Sequence, residues 1–427
     1  MWSHFCHGGI GLSNQEVPWS PTEEKDSSSL LKNRAFVFLW LSSTTSFVAL
    51  STYLFAEQWY IITVLKMESA LGIVMMMTMI FRVLFMTVGG VLADRFRRSR
   101  IMLISSFIRC VIVVVMILFL QMSILEIWSL IGFAILFGIV DAFFSPANTS
   151  LLPSLVSNAS ITKANSFIQS SNQIAMFSGP MIGGWILSKG SFSLLFSIIA
   201  AFLFTTFLFS FCIGEQKRNV PPNNNSTKDE LLDGLKYVWN MSFLKNMLII
   251  LIIINFFFFG PLQMGIPLIV TNVINGEALH LSFLQSSYQG GMLAGALTVG
   301  IVNFRKKRGL SILIIINVLG ICLSLLGFIN LLWQGIFLLS IMGILSSVIN
   351  VSLISIIQEK SQEDKIGRVM SLVNAFSNGL VPVSYAFVSM ALVMNLTISN
   401  IMLYCGCLIM CISLLYIFKS NVIKDVD

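Results

Sequence analysis

Charge is scarce in this chain. Only 11% of its 427 residues are Asp, Glu, Lys or Arg, whereas these residues make up about a quarter of a soluble globular protein. Hydrophobic residues account for 56% of the chain, and the mean hydropathy is +0.87. So few charges cannot cover a water-facing surface of this size. The composition therefore excludes a soluble protein and indicates an integral membrane protein whose partner is the lipid bilayer.

Reactive and metal-binding side chains are also few. There are three histidines and seven cysteines, and every cysteine except Cys6 lies in an apolar run. No disulfide framework or metal-ligand spacing appears, apart from His4, Cys6 and His7 in a terminus whose composition is typical of disorder. The apolar runs contain no nucleophile–base pair and no phosphate cradle. We therefore expect no enzyme, no cofactor and no bound metal.

Two other features are missing. The first 33 residues are polar and mixed in charge, so no cleavable signal peptide is visible and the first long apolar run would act as the insertion signal. The net charge of +7 is spread over short loops between apolar runs instead of covering one face. This distribution argues against nucleic acid as a partner.

What the chain has in abundance is long apolar runs. A helix needs about 20 apolar residues to cross the hydrocarbon core, and twelve runs meet that length. They are residues 35–62, 69–93, 100–120, 127–152, 163–188, 191–214, 243–273, 280–303, 309–329, 332–357, 367–392 and 396–418. The sequence therefore predicts an all-α polytopic membrane protein with 12 transmembrane helices.

Lysine and arginine are distributed unequally between the loops. With the N-terminus placed in the cytoplasm, 22 of the 26 basic residues fall on the cytoplasmic side and only Lys66 and Lys189 on the outer side. The remaining two, Arg82 and Arg109, lie inside spans. Because Lys and Arg accumulate in cytoplasmic loops, we expect both termini in the cytoplasm and the protein in the plasma membrane.

The longest loop divides six spans from six. Its first part contains Pro-Pro-Asn-Asn-Asn-Ser, which is typical of a linker. Thr227 and Glu230 then have capping-box spacing, and leucines follow at helical intervals, which predicts a short amphipathic helix on the membrane surface. The predicted organisation is a cytoplasmic tail (1–33), a six-helix bundle (34–214), this linker (215–242), a second six-helix bundle (243–418) and a cytoplasmic tail (419–427).

The two halves resemble each other at one place. The second span ends in "TVGGVLADRFRRSR" and the eighth in "TVGIVNFRKKRG". A shared Thr-Val-Gly followed by a basic turn, at the same span of each half, indicates two related bundles. Two bundles around one midplane site are typical of a transporter that opens alternately to either side.

The turn after the second span carries a family signature. The pattern Gly-x-x-x-Asp-Arg-x-Gly-Arg-Arg is matched at Gly90, Asp94, Arg95 and Arg98, with Arg97 where the pattern has glycine. On this motif the chain resembles the major facilitator superfamily, and more narrowly its drug exporters of the macrolide-efflux and enterobactin-exporter type. The resemblance covers about residues 34–418 and implies the major facilitator fold, with two pseudo-symmetric six-helix bundles.

The resemblance also implies a role for this turn. In the superfamily the inner end of span two lies beside the start of span eleven. Asp94 could dock on the free N–H groups of that helix start, a contact worth about 0.3–1 kcal/mol, or about 2 kcal/mol when partly buried. We therefore predict that Gly90, Asp94, Arg95 and Arg98 form a conformational latch on the cytoplasmic side. The alternative is that the arginines only anchor the turn.

A second motif lies in span five. The stretch "SGPMIGG" places Gly179, Pro180, Gly183 and Gly184 in a pattern similar to the Gly-Pro-x-x-Gly-Gly element of exporters that exchange substrate for protons. The resemblance implies antiport, and the alternative is ordinary close packing against a neighbouring span. The stretches "VDAFFSPANTSLLPSLV" and "GRVMSLVNAF" also resemble the exporter subgroup.

Four ionisable residues lie well inside spans, all in the first half: Glu57, Arg82, Arg109 and Asp141. A charge at mid-bilayer costs about 2.5–3.5 kcal/mol, so each needs a partner or a role. Their depths along spans three and four predict that Arg109 pairs with Asp141. The pair is either a permanent salt bridge or a proton site, in which Asp141 takes a proton when Arg109 moves away.

Glu57 lies in the outer half of span one, which lines the cavity in this superfamily. It could accept a proton, serve as counter-ion for a cationic substrate, or be a wetted residue near the outer mouth. Arg82 is its candidate partner. Further along, Gly260 and Pro261 follow four phenylalanines in span seven and predict a hinge, while the phenylalanines either line the cavity or pack.

The predicted function is secondary active export. We expect amphipathic small molecules, such as macrolide-like drugs or natural products, to leave by proton antiport with alternating access through a monomer. An importer or proton symporter of the same fold, and a siderophore or peptide exporter, are the alternatives.

Overall fold

The computed structural model describes residues 30–215, 235–301, 308–362 and 365–419, and these residues contain helices and no strand. Several predictions concern residues outside these ranges. They are the candidate metal ligands in the N-terminal tail, the capping box at Thr227 and Glu230, the basic turn after the eighth span and the C-terminal tail.

Six long helices form the first lobe. They are α1 (Arg34–Thr63), α2 (Glu68–Arg95), α3 (Arg98–Gln121), α4 (Ile127–Leu155), α5 (Ile161–Lys189) and α6 (Phe192–Phe211).

Six more form the second lobe. The first, α7, has three consecutive parts: Ser242–Ile254, a π-helical segment Asn255–Phe259, and Gly260–Asn272. The others are α8 (Ala278–Ile301), α9 (Arg308–Leu326), α10 (Leu332–Lys360), α11 (Ile366–Val393) and α12 (Ile398–Lys419).

The predicted spans and the helices differ by at most three residues at any end. Ten of the helices in the described residues are long and apolar enough to cross a membrane. The other two, α5 and α8, have 29 and 24 residues but contain more Ser, Gln and Gly. Their polarity follows from their position, because these two helices pack against each other between the lobes and not only against lipid.

The two lobes are built alike. The pairs α2–α4 and α3–α6 of the first lobe recur as α8–α10 and α9–α12 in the second. Gly138 of α4 lies against the backbone of Thr78, and Gly343 of α10 lies in the same way against Tyr288. Gly343 occupies the same position in α10 as Gly138 does in α4, and Tyr288 the same position in α8 as Thr78 does in α2. The shared contacts confirm the predicted pseudo-symmetry.

Short loops make neighbouring helices antiparallel, so the molecule has two faces. We call the face at which α1 begins and α12 ends the terminal face, and the opposite one the distal face. The described end of the central linker, residues 235–240, is helical at the terminal face, with Val238 buried and Trp239 exposed. The amphipathic linker helix stays a prediction, because its start at Thr227 lies outside the described residues.

Candidate functional site

Three charged side chains meet inside the first lobe. Asp141 of α4 is only 5% exposed, and its Oδ1 lies 3.2 Å from Nη1 of Arg109 on α3. Its Oδ2 lies 3.1 Å from Nε of Arg82 on α2. The guanidinium of Arg109 also stacks 4.1 Å from the centre of the Phe144 ring. We call Arg82, Arg109 and Asp141 the charge cluster. It confirms the predicted contact between Arg109 and Asp141.

The cluster is not electrically balanced. It contains two guanidinium groups and one carboxylate, and Nε and Nη2 of the fully buried Arg109 have no hydrogen-bond partner. Two cations thus surround one acid. Removing Asp141 would leave a buried charge unpaired, which is strongly destabilising.

Glu57 lies in a different environment. Its side chain is fully buried, its Oε1 accepts a 2.8 Å hydrogen bond from the Tyr53 hydroxyl, and its Oε2 has no partner. Tyr53 stacks on Phe137 of α4 with ring centres 4.4 Å apart. No salt bridge reaches Glu57 among the described residues. An ionised Glu57 would therefore be an isolated buried charge, which is costly.

Two of the alternatives left open for Glu57 do not match the structure. Arg82 pairs with Asp141 and not with Glu57. Nor is Glu57 a wetted residue at the outer mouth, because it is 0% exposed. The reason is the orientation of α1: Tyr53, Glu57 and Tyr60 share one helical face, and this face is turned into the core of the first lobe.

Arg98 of the signature turn acts within the first lobe. Its Nε donates to the Ala93 carbonyl at 3.2 Å and its Nη1 to the Ser150 carbonyl of α4 at 2.8 Å. Glu215, which follows α6, accepts from the backbone N–H groups of Arg98 and Ser99 and so caps α3. Sequence reasoning missed Glu215, because nothing local marks a distant acid as a helix cap.

Asp94 is free of the second lobe in this structure. Its side chain is 78% exposed and approaches Arg98 at 3.7 Å. Arg95 is exposed, and a Cβ placed on Gly90 would meet no atom within 4 Å. The predicted latch contact is thus not formed in this state.

The glycine motif of α5 packs tightly. Gly179 lies against Ser51 and Thr52 of α1, and Gly183 against the ring of Phe55. Gly184 lies against Ser282 of α8, in the other lobe. Pro180 is buried between these contacts. The motif therefore brings α5 close to α1 and α8 at once.

The lobes touch each other near the distal face. Gln285 Nε2 donates to Gln58 Oε1 at 2.8 Å, and the Ser286 hydroxyl donates to the Phe177 carbonyl at 2.9 Å. On the other flank, Asn272 donates to Glu68. The Ser389 hydroxyl also donates to the Ser69 carbonyl there, and Gly72 lies against the backbone of Tyr385.

Every hydrogen bond between the lobes in the described ranges joins residues of the distal halves. Towards the terminal face the same helices become exposed. Met86 of α2 is 40% exposed, a Cβ on Gly90 would meet no atom within 4 Å, and Leu297 of α8 is 63% exposed. The structure is therefore closed at the distal face, with a cleft between the lobes that opens at the terminal face.

Helix α7 changes its hydrogen bonding where the sequence predicts a hinge. The Gly260 N–H donates to Ser384 Oγ of α11 at 3.0 Å, and the Ser384 hydroxyl donates to the Phe256 carbonyl. A hydroxyl is thus inserted into the ladder of α7 at the π-helical segment. The phenylalanines here pack on Tyr385 and Phe387 of α11. These contacts favour packing over cavity lining for them.

The described residues contain no group of three or more His, Cys, Asp or Glu that could hold a metal ion.

Residues 39–386 match the family model of the Major Facilitator Superfamily. The chain is 25% identical over 334 residues to macrolide efflux protein A of Streptococcus pyogenes, covering 76% of this chain and 81% of that protein. It is 25% identical over 294 residues to the enterobactin exporter EntS of Escherichia coli, covering 67% and 68%.

Solved structures share the architecture. The crystal structure of the nucleoside transporter NupG matches 91% of this chain and 100% of its own with a TM-score of 0.73, at 13% identity. A sequence identity this low supports a shared fold and nothing more.

Proposed function

This chain belongs to the Major Facilitator Superfamily, and we propose that it exports amphipathic small molecules by proton antiport with alternating access. The observation that carries the proposal is the arrangement of the interface: the lobes are packed together at the distal face and parted at the terminal face. A transporter of two rigid lobes has this form in one of its two states. The superfamily consists of membrane transporters and not enzymes.

The relatives support the direction of transport. Macrolide efflux protein A and the enterobactin exporter are both named as exporters. Macrolide-like drugs and related natural products are thus the first substrates that we propose. The enterobactin exporters among the relatives make a siderophore exporter the second candidate.

We propose that both termini face the cytoplasm, which makes the terminal face the cytoplasmic one. The distribution of Lys and Arg supports this orientation, since 22 of 26 would lie on that side. The described state is then open to the cytoplasm, where an exporter collects its cargo. We propose that a single chain suffices, because the cleft lies between two lobes of the same chain.

Glu57 is our candidate proton carrier. A carrier must exist in both protonation states during the cycle, and Glu57 has no cation that would hold it ionised. Asp141, by contrast, has two guanidinium partners. We propose that Glu57 carries the proton inward as the neutral acid and releases it to the cytoplasm, with the terminal side open, when rearrangement of the first lobe brings it a polar or cationic partner. The charge cluster then holds α2, α3 and α4 together.

Helix periodicity supports the latch. Gly72 of α2 meets Tyr385 of α11 at the distal face. Residues 18 apart in a helix are separated by about five turns and lie on the same face. Gly90 therefore lies on the same face of α2 as Gly72, and Gly367 on the same face of α11 as Tyr385. A Cβ on Gly90 or Gly367 would meet nothing within 4 Å here. We propose that these glycines meet when the terminal side closes, with Asp94 against the start of α11.

Transport by the purified protein in proteoliposomes tests the function. A panel of macrolides and fluorescent dyes is supplied with an imposed pH gradient, and then again with the gradient collapsed by an ionophore. We expect gradient-dependent movement of at least one amphipathic compound, with protons moving the opposite way. Co-directional movement of protons and substrate would instead establish a symporter.

Single substitutions then test the proton site. Glu57→Gln should abolish the gradient-driven component, and Asp141→Asn, the second candidate acid, is measured beside it. Full export by both single variants and by the double variant would contradict proton coupling through these acids.

A further inference from the structure

Helices α5 and α11 carry the same polar pattern in their terminal halves. Residues 166–173 read "SFIQSSNQ" and residues 371–378 read "SLVNAFSN". In each helix a serine stands five residues after the helix start, an amide residue eight after it and a second amide residue twelve after it. We call these two sets the amide stripes. They are Ser166, Gln169 and Gln173 on α5, and Ser371, Asn374 and Asn378 on α11.

These stripes lie within the depth of a bilayer and yet are accessible. At 1.5 Å per residue, Gln169 and Asn374 stand about 12 Å, and Gln173 and Asn378 about 18 Å, from the start of their helices. Gln169, Asn374 and Asn378 are exposed. Nε2 of the half-buried Gln173 has no hydrogen-bond partner. Exposed amides at this depth would be costly in hydrocarbon, so they face the cleft and not lipid.

The orientation of α5 and α11 also places the amide stripes at the cleft. Towards the distal face, the side of α5 that carries its stripe continues into Phe177 and Gly184, which contact α8. The corresponding side of α11 continues into Tyr385 and Ser389, which contact α2. Each stripe therefore faces the opposite lobe, one at each flank of the cleft.

The helices opposite the stripes offer few partners. On the terminal half of α2 this face carries Met86 and Gly90, and on that of α8 it carries Ala296 and Leu297. The Asn378 amide already donates to the Asn374 carbonyl at 2.9 Å. If the cleft closed empty, the amides of Gln169, Gln173 and Asn374 would be buried against apolar surface. A buried donor or acceptor without a partner costs about 1–3 kcal/mol. A ligand that supplies hydrogen bonds removes this cost and favours closure.

The stripes also carry no charge. The two acids buried in the first lobe do not reach the cleft in this state, because Glu57 is 0% and Asp141 5% exposed. The exposed Asp94 lies on the last turn of α2, beyond the stripes. Neutral amides and hydroxyls offer no counter-ion to a permanent cation or anion. The surfaces of α2 and α8 that face the stripes are apolar. The complementary ligand is therefore polar on one side and apolar on the other.

Resting on the proposed export function, we propose that the amide stripes bind the substrate, and that the substrate class is uncharged, hydroxyl- and carbonyl-rich amphipathic molecules such as neutral glycosides. Gln169 and Asn374 are the central contacts, one on each flank. Because the stripes occupy equivalent positions in the two lobes, each contacts a different side of the same ligand.

The test uses energised export by proteoliposomes of the full chain with two probes. One is 4-methylumbelliferyl β-glucoside, which is neutral and rich in hydroxyls, and the other is ethidium, a permanent cation. We expect the wild type to export the glucoside in preference to ethidium. Gln169→Leu and Asn374→Leu should each raise the half-saturating glucoside concentration roughly tenfold, the loss expected from about one neutral hydrogen bond.

Two controls separate binding from folding. Ser197→Leu removes an exposed hydroxyl from α6, away from the cleft, and should leave export unchanged. Gln169→Asn and Asn374→Gln keep the amide and should retain more glucoside export than the leucine variants. A thermal unfolding midpoint measured for each variant excludes loss of fold as the cause.

The outcomes are distinct. Export of ethidium without the glucoside, or unchanged glucoside kinetics in the Gln169→Leu/Asn374→Leu double variant, would overturn this inference and leave the exporter function intact. If a wider panel of neutral, cationic and anionic amphipaths showed no gradient-driven movement at all, the proposed function would fail and this inference with it.

Discussion

The two lobes share a framework but differ in what they bury. In the first lobe Gly138 packs on Thr78, and in the second Gly343 packs on Tyr288 at the equivalent positions. The framework is thus set by close helix packing, which both halves must satisfy.

Counterparts of the charge cluster in the second lobe are all uncharged. In chain order they are Met292, Leu319 and Ser346. The second lobe has a different irregularity, the π-helical segment of α7 with Ser384 inserted beside it. In our proposal, ion coupling belongs to the first lobe and the second lobe contributes bending.

The largest effect that we expect is on stability. Asp141→Leu leaves Arg109 buried without its acid and should cost about 3–5 kcal/mol, measured as a lowered unfolding midpoint in detergent. Ser346→Ala, at the equivalent position of the second lobe, should cost about 1 kcal/mol or less. The Asp141→Leu/Arg109→Leu double variant should recover much of the loss. Equal costs at residues 141 and 346 would remove the contrast between the lobes.

Substitution of Gly138 and Gly343 tests the helix packing that the two lobes share. Gly138→Leu and Gly343→Leu should each cost about 1–3 kcal/mol, because the added side chain collides with the backbone of the neighbouring helix. Gly132→Leu on α4 is the matched control, since a Cβ there meets nothing within 4 Å. If only one of the two glycines proved sensitive, the common framework would be in doubt.

Sequence patterns predicted the spans to within three residues because a bilayer imposes both length and hydrophobicity on a helix. The contact between Arg109 and Asp141 was also predictable, because depth along a helix can be counted. The partner of Arg82 was not, since the side on which α2 meets α4 depends on three-dimensional packing. For the same reason the sequence did not show that Glu57 faces the lobe core.

Substitution of Ser384 should have a smaller effect on stability, confined to the second lobe. Ser384→Ala deprives the Gly260 N–H and the Phe256 carbonyl of their bridging hydroxyl, at a cost of about 1 kcal/mol. Hydrogen exchange of the Gly260 amide should accelerate, while that of α1 stays unchanged. Thr52→Val, which removes a hydroxyl contact to α5 in the first lobe, should leave exchange in α7 unaffected.

The latch gives the smallest effect. Asp94→Ala should reduce the population closed at the terminal face by a factor of about two to five, which corresponds to about 0.3–1 kcal/mol. Spin labels at Phe96 and Gln362, both exposed near that face, report the distance between the ends of α2 and α11. Arg100→Ala, an exposed change on α3, is the control. An unchanged distance distribution in Asp94→Ala would reduce the signature turn to an anchor.

The central claim is that proton coupling resides in the first lobe at Glu57. The most direct test compares wild type and Glu57→Gln in proteoliposomes, measuring both substrate exchange at equal pH and accumulation driven by a pH gradient. We predict that Glu57→Gln retains exchange, because the neutral side chain keeps the hydrogen bond to Tyr53, and loses gradient-driven accumulation. Accumulation by Glu57→Gln at the wild-type level would contradict the account.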